Sequence, residues 1–178
     1  IDNMDFEILM DRQMIQEKVN EIAAKIDQDF KGKNPILMIG LNGSFIFGSD
    51  LMRALTIDCE VDFIKISSYG DEMTSSGEVK MKKDYDCLVH NRHLIVIEDI
   101  VDSGLSLSFL KRKFSLQDPA SVSFVTLLHK PENSKLEFEL DHVGFEIGNE
   151  FVLGYGLDYK QKWRNLPDVY VRVDSDDS

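Results

Sequence analysis

Two short apolar runs that do not alternate, "ILMIG" at residues 36–40 and "LIVI" at residues 94–97, constrain the fold of this chain more than any other feature. Successive side chains of a strand point to opposite faces, so a strand with one wet face alternates polar and apolar residues. A strand that is apolar on both sides must be covered on both, which is the situation of a parallel sheet between layers of helices. Helical segments stand where such a fold needs them. Residues 11–30 carry Met14, Ile15, Val19, Ile22, Ala23 and Ile26 at a helical period until "KGKNP" breaks it. "FGSDLMRAL" follows the first run, and residues 105–114 follow the second, each with a helical pattern. "CEVDFIKISSY", "ASVSFVTLLHK", "FVLGY" and "VYVRV" supply further strands. Strands that alternate with helices predict an α/β domain whose mainly parallel sheet is flanked by helices.

The 178 residues amount to one domain, long enough to bury a sizeable core. Residues 1–173 are expected to form that domain, and 174–178, "DSDDS" after its valine, an acidic disordered tail. A net charge of −12 argues against nucleic acid or an anionic membrane surface as the main partner. Small anionic ligands stay possible, because salt confines surface fields to roughly 8–10 Å. Cys59 and Cys87 have no metal-like spacing and are expected to be reduced thiols. The opening "IDNMDFEILM" shows neither a basic nor an apolar leader region, and no apolar run approaches the ~20 residues that span a bilayer. The expected setting is cytoplasmic.

In open α/β sheets ligands sit beyond the carboxyl ends of the strands. Four such ends carry unusual chemistry here: "LNGS", "SSYG", "EDIVDSG" and "LLHK". In the third, a strand runs into Glu98, Asp99 and Asp102 and then Ser103, Gly104, Leu105 and Ser106 at the start of a helix. The first amides of a helix lack intrahelical partners and lie at its positive end, so this turn suits a phosphate. On the pentapeptide alone a plain helix cap by Asp102 or Ser103 is the favoured explanation. Adjacent carboxylates resist burial unless they meet cations or hydroxyl donors. A sugar's vicinal hydroxyls or Mg²⁺ would satisfy them, and so would the acidic metal pocket of a response-regulator-like domain.

The string "LIVIEDIVDSGLS" resembles the 5-phosphoribosyl-1-pyrophosphate (PRPP) binding loop of the phosphoribosyltransferases. "LNGSFIFGSDLMRAL", "SSYG", "LLHKP" and "VGFEIGNEFVLGYGLDYKQKWRNLP" are similar, in order and spacing, to the hypoxanthine-guanine members. The likeness covers residues 36–173. It implies the type I phosphoribosyltransferase fold, with a small hood built from the N- and C-terminal segments, and transfer of the phosphoribosyl group from PRPP to hypoxanthine or guanine.

Carried over residue by residue, the resemblance gives Glu98 and Asp99 the ribose hydroxyls and makes Asp102 the general base at purine N7. Residues 102–106, including Gly104 and Leu105, hold the 5′-phosphate. Leu41, Asn42 and Gly43 form a pyrophosphate loop with a cis peptide between its first two residues, and Arg164 contacts the diphosphate. Lys130 donates to purine O6, Phe151 and Ile100 sandwich the ring, and Val152 reads the 2-position through its backbone. Asp158 stands beside the purine and engages magnesium, the metal set being Glu98, Asp99 and Asp158 with Mg²⁺ as cofactor. Residues 68–79 correspond to a mobile loop headed by Ser68 and Tyr69. A homodimer or homotetramer is implied. His129 is given no catalytic role. The chain departs from many relatives at Asn42 and Leu105, where they carry lysine, and at Ser103, where threonine is more frequent. A PRPP-sensing module could keep "EDIVDSG" but would not need Asp102, Lys130, Phe151 and Arg164 together. A preference for xanthine is a further possibility within the enzyme class.

Overall fold

A computed structural model describes residues 5–68 and 79–174. Its elements, in chain order, are β1 (Asp5–Met10), α1 (Arg12–Phe30), β2 (Ile36–Leu41), α2 (Phe45–Ala54), β3 (Glu60–Ser68), β4 (Val79–Lys83), β5 (His93–Val101), α3 (Leu105–Ser115), β6 (Ser121–His129), β7 (His142–Glu146), β8 (Val152–Leu153) and β9 (Val169–Val173). The main sheet has the order β4-β3-β2-β5-β6-β7. β3, β2, β5, β6 and β7 are parallel, and β4 is an antiparallel edge strand. β1, β9 and β8 form a separate antiparallel sheet, the hood expected from the two ends of the chain.

The unalternating runs are explained by what covers them. Leu37, Ile39, Ile95 and Ile97 bury on one face with Ile15, Val19, Ile22, Ala23 and Ile26 of α1 and Phe47 and Leu51 of α2. Ile36, Met38, Leu94 and Val96 bury on the other with Leu107, Leu110 and Phe114 of α3. Full burial of each such side chain is worth about 1.5–3 kcal/mol relative to exposure. Asp11 caps α1 by accepting from the Met14 amide at 2.9 Å. Met14, counted in the apolar period, is turned outward instead.

The strands differ from the sequence expectation in three places. β5 runs on through Glu98 and Asp99 to Val101, because β6 continues beside it, pairing Glu98 with Thr126 and Val101 with His129. Pairing with β2 stops at Ile97, so the acids lie where a sheet neighbour drops away. β4 lies at the end of a polar stretch whose sequence shows no core pattern; Met81 packs against the α3-side core. β1 and β7 add strands that the sequence pattern does not predict. Cys59 and Cys87 are free thiols. Among the described residues no helix is long and apolar enough to cross a membrane. Tyr69 and residues 175–178 lie outside the described residues, as does most of the expected loop at 68–79.

Candidate active site

Glu98 and Asp99 keep some accessible surface, yet their carboxyl groups lie deep in the fold. Burial, and then the neighbouring Asp99 charge, pushes Glu98 up to about 8. Burial raises Asp99 to about 6, against the opposing pull of the Ile100 amide, which donates to Oδ1 at 2.8 Å, and of the Arg164 charge. The turn after β2 makes room for these groups. A Cβ on Gly43 would collide with Asp99 Oδ2, and one on Gly40 would lie 2.9 Å from both Glu98 oxygens. The Leu41–Asn42 peptide of this turn is cis, as expected.

The turn at 102–106 leads into α3. The position before α3 is taken by Gly104 in the left-handed region, with φ 84°, and no side chain caps the helix. Neither Asp102 nor Ser103 therefore acts as a simple cap. Ser103 Oγ makes only a long contact, accepting from the Leu105 amide at 3.4 Å. Glycine is needed at 104 for its φ and because a Cβ would lie 2.6 Å from the Leu136 side chain. A cavity of about 210 Å³ opens over this turn, lined by Gly40, Leu41, Ile64, Ile66, Glu98, Ile100 and residues 101–107. One cavity thus gathers Glu98 and the expected phosphate residues 102–106 together with Leu41 and Ile100, while Asp99 does not line it.

Lys130 follows β6 and is 8% exposed, which is rare for a lysine without a partner. Its Nζ lies 3.7 Å from Asp102 Oδ2. His129 Nε2 is buried without a hydrogen-bond partner, and Nδ1 lies 3.9 Å from Glu146 Oε1.

The C-terminal loop closes the other side. Gly156, with φ 97°, backs onto the Gly43 carbonyl with no space for a Cβ. Tyr155 donates its hydroxyl to Asp50 Oδ2 at 2.5 Å, tying the loop to α2. Arg164 Nη1 donates to the Gly156 carbonyl at 2.8 Å, and Nη2 lies 3.6 Å from Asp158 Oδ1. Asp158 Oδ2 also accepts from the Gln161 amide at 2.8 Å. Phe151 is partly exposed at the hood, edge-on to Tyr159 at 5.8 Å, and Val152 is buried in β8. Asn42, Gly43, Asp99, Lys130, Phe151, Val152, Asp158 and Arg164 do not line the cavity itself, although Lys130 approaches Asp102 and the Arg164 charge acts on Asp99.

Residues 7–160 match the phosphoribosyl transferase domain family. The chain is 42% identical to the hypoxanthine-guanine phosphoribosyltransferase of Bacillus subtilis (strain 168) over 92% of its own length and 91% of the relative's. Its structure superposes on that of a hypoxanthine-guanine phosphoribosyltransferase from Bacillus anthracis with a TM-score of 0.88 and 43% identity, covering 94% of this chain and 98% of the other. The chain belongs to the hypoxanthine-guanine phosphoribosyltransferase family. It is also 43% identical over 160 residues to the bifunctional protein TilS/HprT of Listeria monocytogenes serotype 4b, of whose length it spans a quarter (25%).

The folded site also contains residues that the sequence pattern does not single out. Ser44 is fully buried at the start of α2, close to both acids, with its Oγ holding no hydrogen-bond partner among the described residues. Asn133 touches Asp102. Tyr159 stacks on Trp163 at 6.0 Å and braces Phe151. "LNGS" contained the only advance signal for Ser44; the others depend on contacts between distant segments. Among the described residues no three His, Cys, Asp or Glu side chains converge on a metal position, so Glu98, Asp99 and Asp158 make no closed cage. Carboxylate oxygens beside a glycine turn nevertheless fit Mg²⁺, which is held through one or two carboxylates plus water and phosphate oxygens.

Proposed function

We propose that this chain is a purine salvage transferase. It moves the 5-phosphoribosyl group of PRPP to N9 of hypoxanthine or guanine and releases pyrophosphate. The observation that carries the reading is the pair formed by Lys130 Nζ and Asp102 Oδ2, a buried cationic donor and an acceptor 3.7 Å apart. A 6-oxopurine presents the complementary pair on one edge, with O6 accepting and the N7 proton donated. A 6-amino base would set two donors against each other at Lys130.

In this reading PRPP lies along the cavity. Glu98 and Asp99 hold the ribose hydroxyls, and residues 102–106 hold the 5′-phosphate with backbone amides and the hydroxyls of Ser103 and Ser106. Leu105 needs no charge there, since the amides do the binding. Leu41, Asn42 and Gly43 face the diphosphate, with Arg164 on its far side. Phe151 and Ile100 enclose the purine, and Val152 meets its 2-position. Glu98, Asp99 and Asp158 are the residues toward Mg²⁺, which when bound neutralises charge on the departing diphosphate. As the bond at ribose C1 breaks, positive charge develops on the sugar, and the acids beneath it stabilise that charge. Asp102 takes the N7 proton. Ser68 and Tyr69 head the segment assigned to close over the reaction, which keeps water from the reactive sugar. Residues 1–173 work as one domain, with 174–178 taking no part. The same reading extends, by family resemblance, to a cytoplasmic homodimer or homotetramer.

Incubation with PRPP, Mg²⁺ and each of hypoxanthine, guanine and xanthine, followed by chromatography, tests the assignment. The expected products are IMP and GMP; no nucleotide from any purine would refute it. Lys130→Ala is expected to weaken purine binding roughly 10- to 100-fold, the range for a lost hydrogen bond to a charged group, while PRPP binding stays nearly unchanged. Equal losses for both ligands in isothermal titration would remove Lys130 from the base site.

A further inference from the structure

Asp102 stands at the mouth of the phosphate turn with 55% of its side chain exposed. An exposed carboxylate on a turn samples several rotamers, and a general base works only in the one that reaches its proton. Two side chains act on this carboxylate among the described residues. Lys130 lies near Oδ2, and Asn133 Nδ2 donates to Oδ1 at 2.9 Å. The sense of the second bond is fixed by chemistry, because a carboxylate can only accept.

Both partners come from one short segment that is stitched to the Asp102 turn on either side. The Lys130 amide donates to the Val101 carbonyl at 2.9 Å, and the Lys135 amide donates to the Ser103 carbonyl at 2.9 Å. Between them the Asn133 amide donates to the Lys130 carbonyl at 3.1 Å, closing the turn. Asn133 is thus carried on a frame whose two anchors flank Asp102 in sequence. Its bond does two things. It fixes one carboxylate oxygen, so the other stays on the side of the purine edge. It also opposes collapse of Asp102 onto Lys130, whose 3.7 Å separation is longer than a direct hydrogen bond. A closed Asp102–Lys130 pair would occupy the two groups that must meet N7 and O6.

We propose that Asn133 is a positioning residue that holds Asp102 in the orientation needed to take the purine proton. The inference rests on the reading of Asp102 as the base. It concerns the chemical step and not PRPP, which the strand acids and turn amides hold without Asn133.

Steady-state kinetics on the full chain with PRPP, Mg²⁺ and hypoxanthine test this. Asn133→Ala is expected to lower kcat about 3- to 10-fold, the range for one lost hydrogen bond, with the KM for PRPP unchanged. Asn133→Asp keeps the size but loses the donor and adds a like charge, so it lowers kcat further. Asn133→Ser, which retains a donor, recovers part of the rate. In an Asp102→Asn background, adding Asn133→Ala brings no further loss, because the residue acts only through the base. Full kcat in Asn133→Ala overturns the proposal, and so does a loss that multiplies with that of Asp102→Asn. Unchanged activity of Asp102→Asn alone would remove the parent reading, and that result is independent of position 133.

Discussion

Replacing Asp102 by asparagine is expected to lower kcat for nucleotide formation by about 10²–10⁴-fold, the usual contribution of a positioned general base. The substitution preserves size, and an asparagine Oδ1 can still accept from Asn133 at the place where the Asp102 Oδ1 now does. The change falls on the other atom. Where Oδ2 faces Lys130, the variant carries an NH₂ group, which cannot take a proton and sets a donor against a donor. PRPP binding is expected to stay nearly unchanged, because the substitution leaves Glu98 and the backbone of residues 102–106 in place around the cavity. Trp163, the single tryptophan, neighbours Arg164 and stacks on Tyr159, so under the proposed assignment its emission is expected to change when PRPP binds, without turnover. The expected result is a PRPP titration like that of the parent with a collapsed kcat. A variant with full kcat would show that Asp102 takes no proton.

The fold was legible where the chain is covered on both sides and obscure where it is not. "ILMIG" and "LIVI" announced central parallel strands because helices bury both their faces. β1 and β7, which the sequence pattern does not predict, are edge strands with few buried side chains, whereas the expected "FVLGY" strand is reduced to the two residues of β8, Val152 and Leu153, paired with Val171 and Tyr170. Such strands exist through partners far along the chain, which local patterning cannot reveal. β4 does alternate, but its lysines disguised it within a polar stretch.

The site divides in the same way. The acids, the Ser-Gly turn and Lys130 each lie in a contiguous string, so the residues themselves could mark these strand ends as unusual, and the resemblance then suggested a role for each. What their neighbours do could not. That Gly156 presses on Gly43, that Tyr155 bonds Asp50, and that Asn133 reaches Asp102 are facts about segments that only folding brings together. The extension of β5 through Glu98 and Asp99 follows from β6 continuing alongside after β2 has left, a matter of register between strands.

Neutralising Glu98 is expected to stabilise the free protein at pH 8 while impairing its use of PRPP. Glu98 titrates at about 8 and Asp99 at about 6, both above their ordinary values of 4.5 and 3.8. The sign follows from proton counts. Between roughly pH 4 and 8 the unfolded chain has released protons that the folded site retains, so folding stability falls as pH rises through this window. At pH 5 Glu98 is protonated in the fold and resembles a glutamine. At pH 8 about half of the molecules must bury a second negative charge beside Asp99, or partly unfold to avoid it. A carboxyl held one pH unit above its ordinary value costs the charged fold about 1.4 kcal/mol, so the effect is on the order of a few kcal/mol. For a domain of this size that means a Tm difference of several degrees, given about 2–4 °C per kcal/mol. Calorimetry of Glu98→Gln against the parent should therefore show a gain in Tm at pH 8 that vanishes near pH 5. PRPP with Mg²⁺ should raise the parent's Tm at pH 8 far more than the variant's, because the ligand supplies the hydroxyls and cation that the charged acids lack. A Tm difference equal at both pH values would mean that Glu98 is charged throughout, and that the site carries its paired negative charge without a ligand's help.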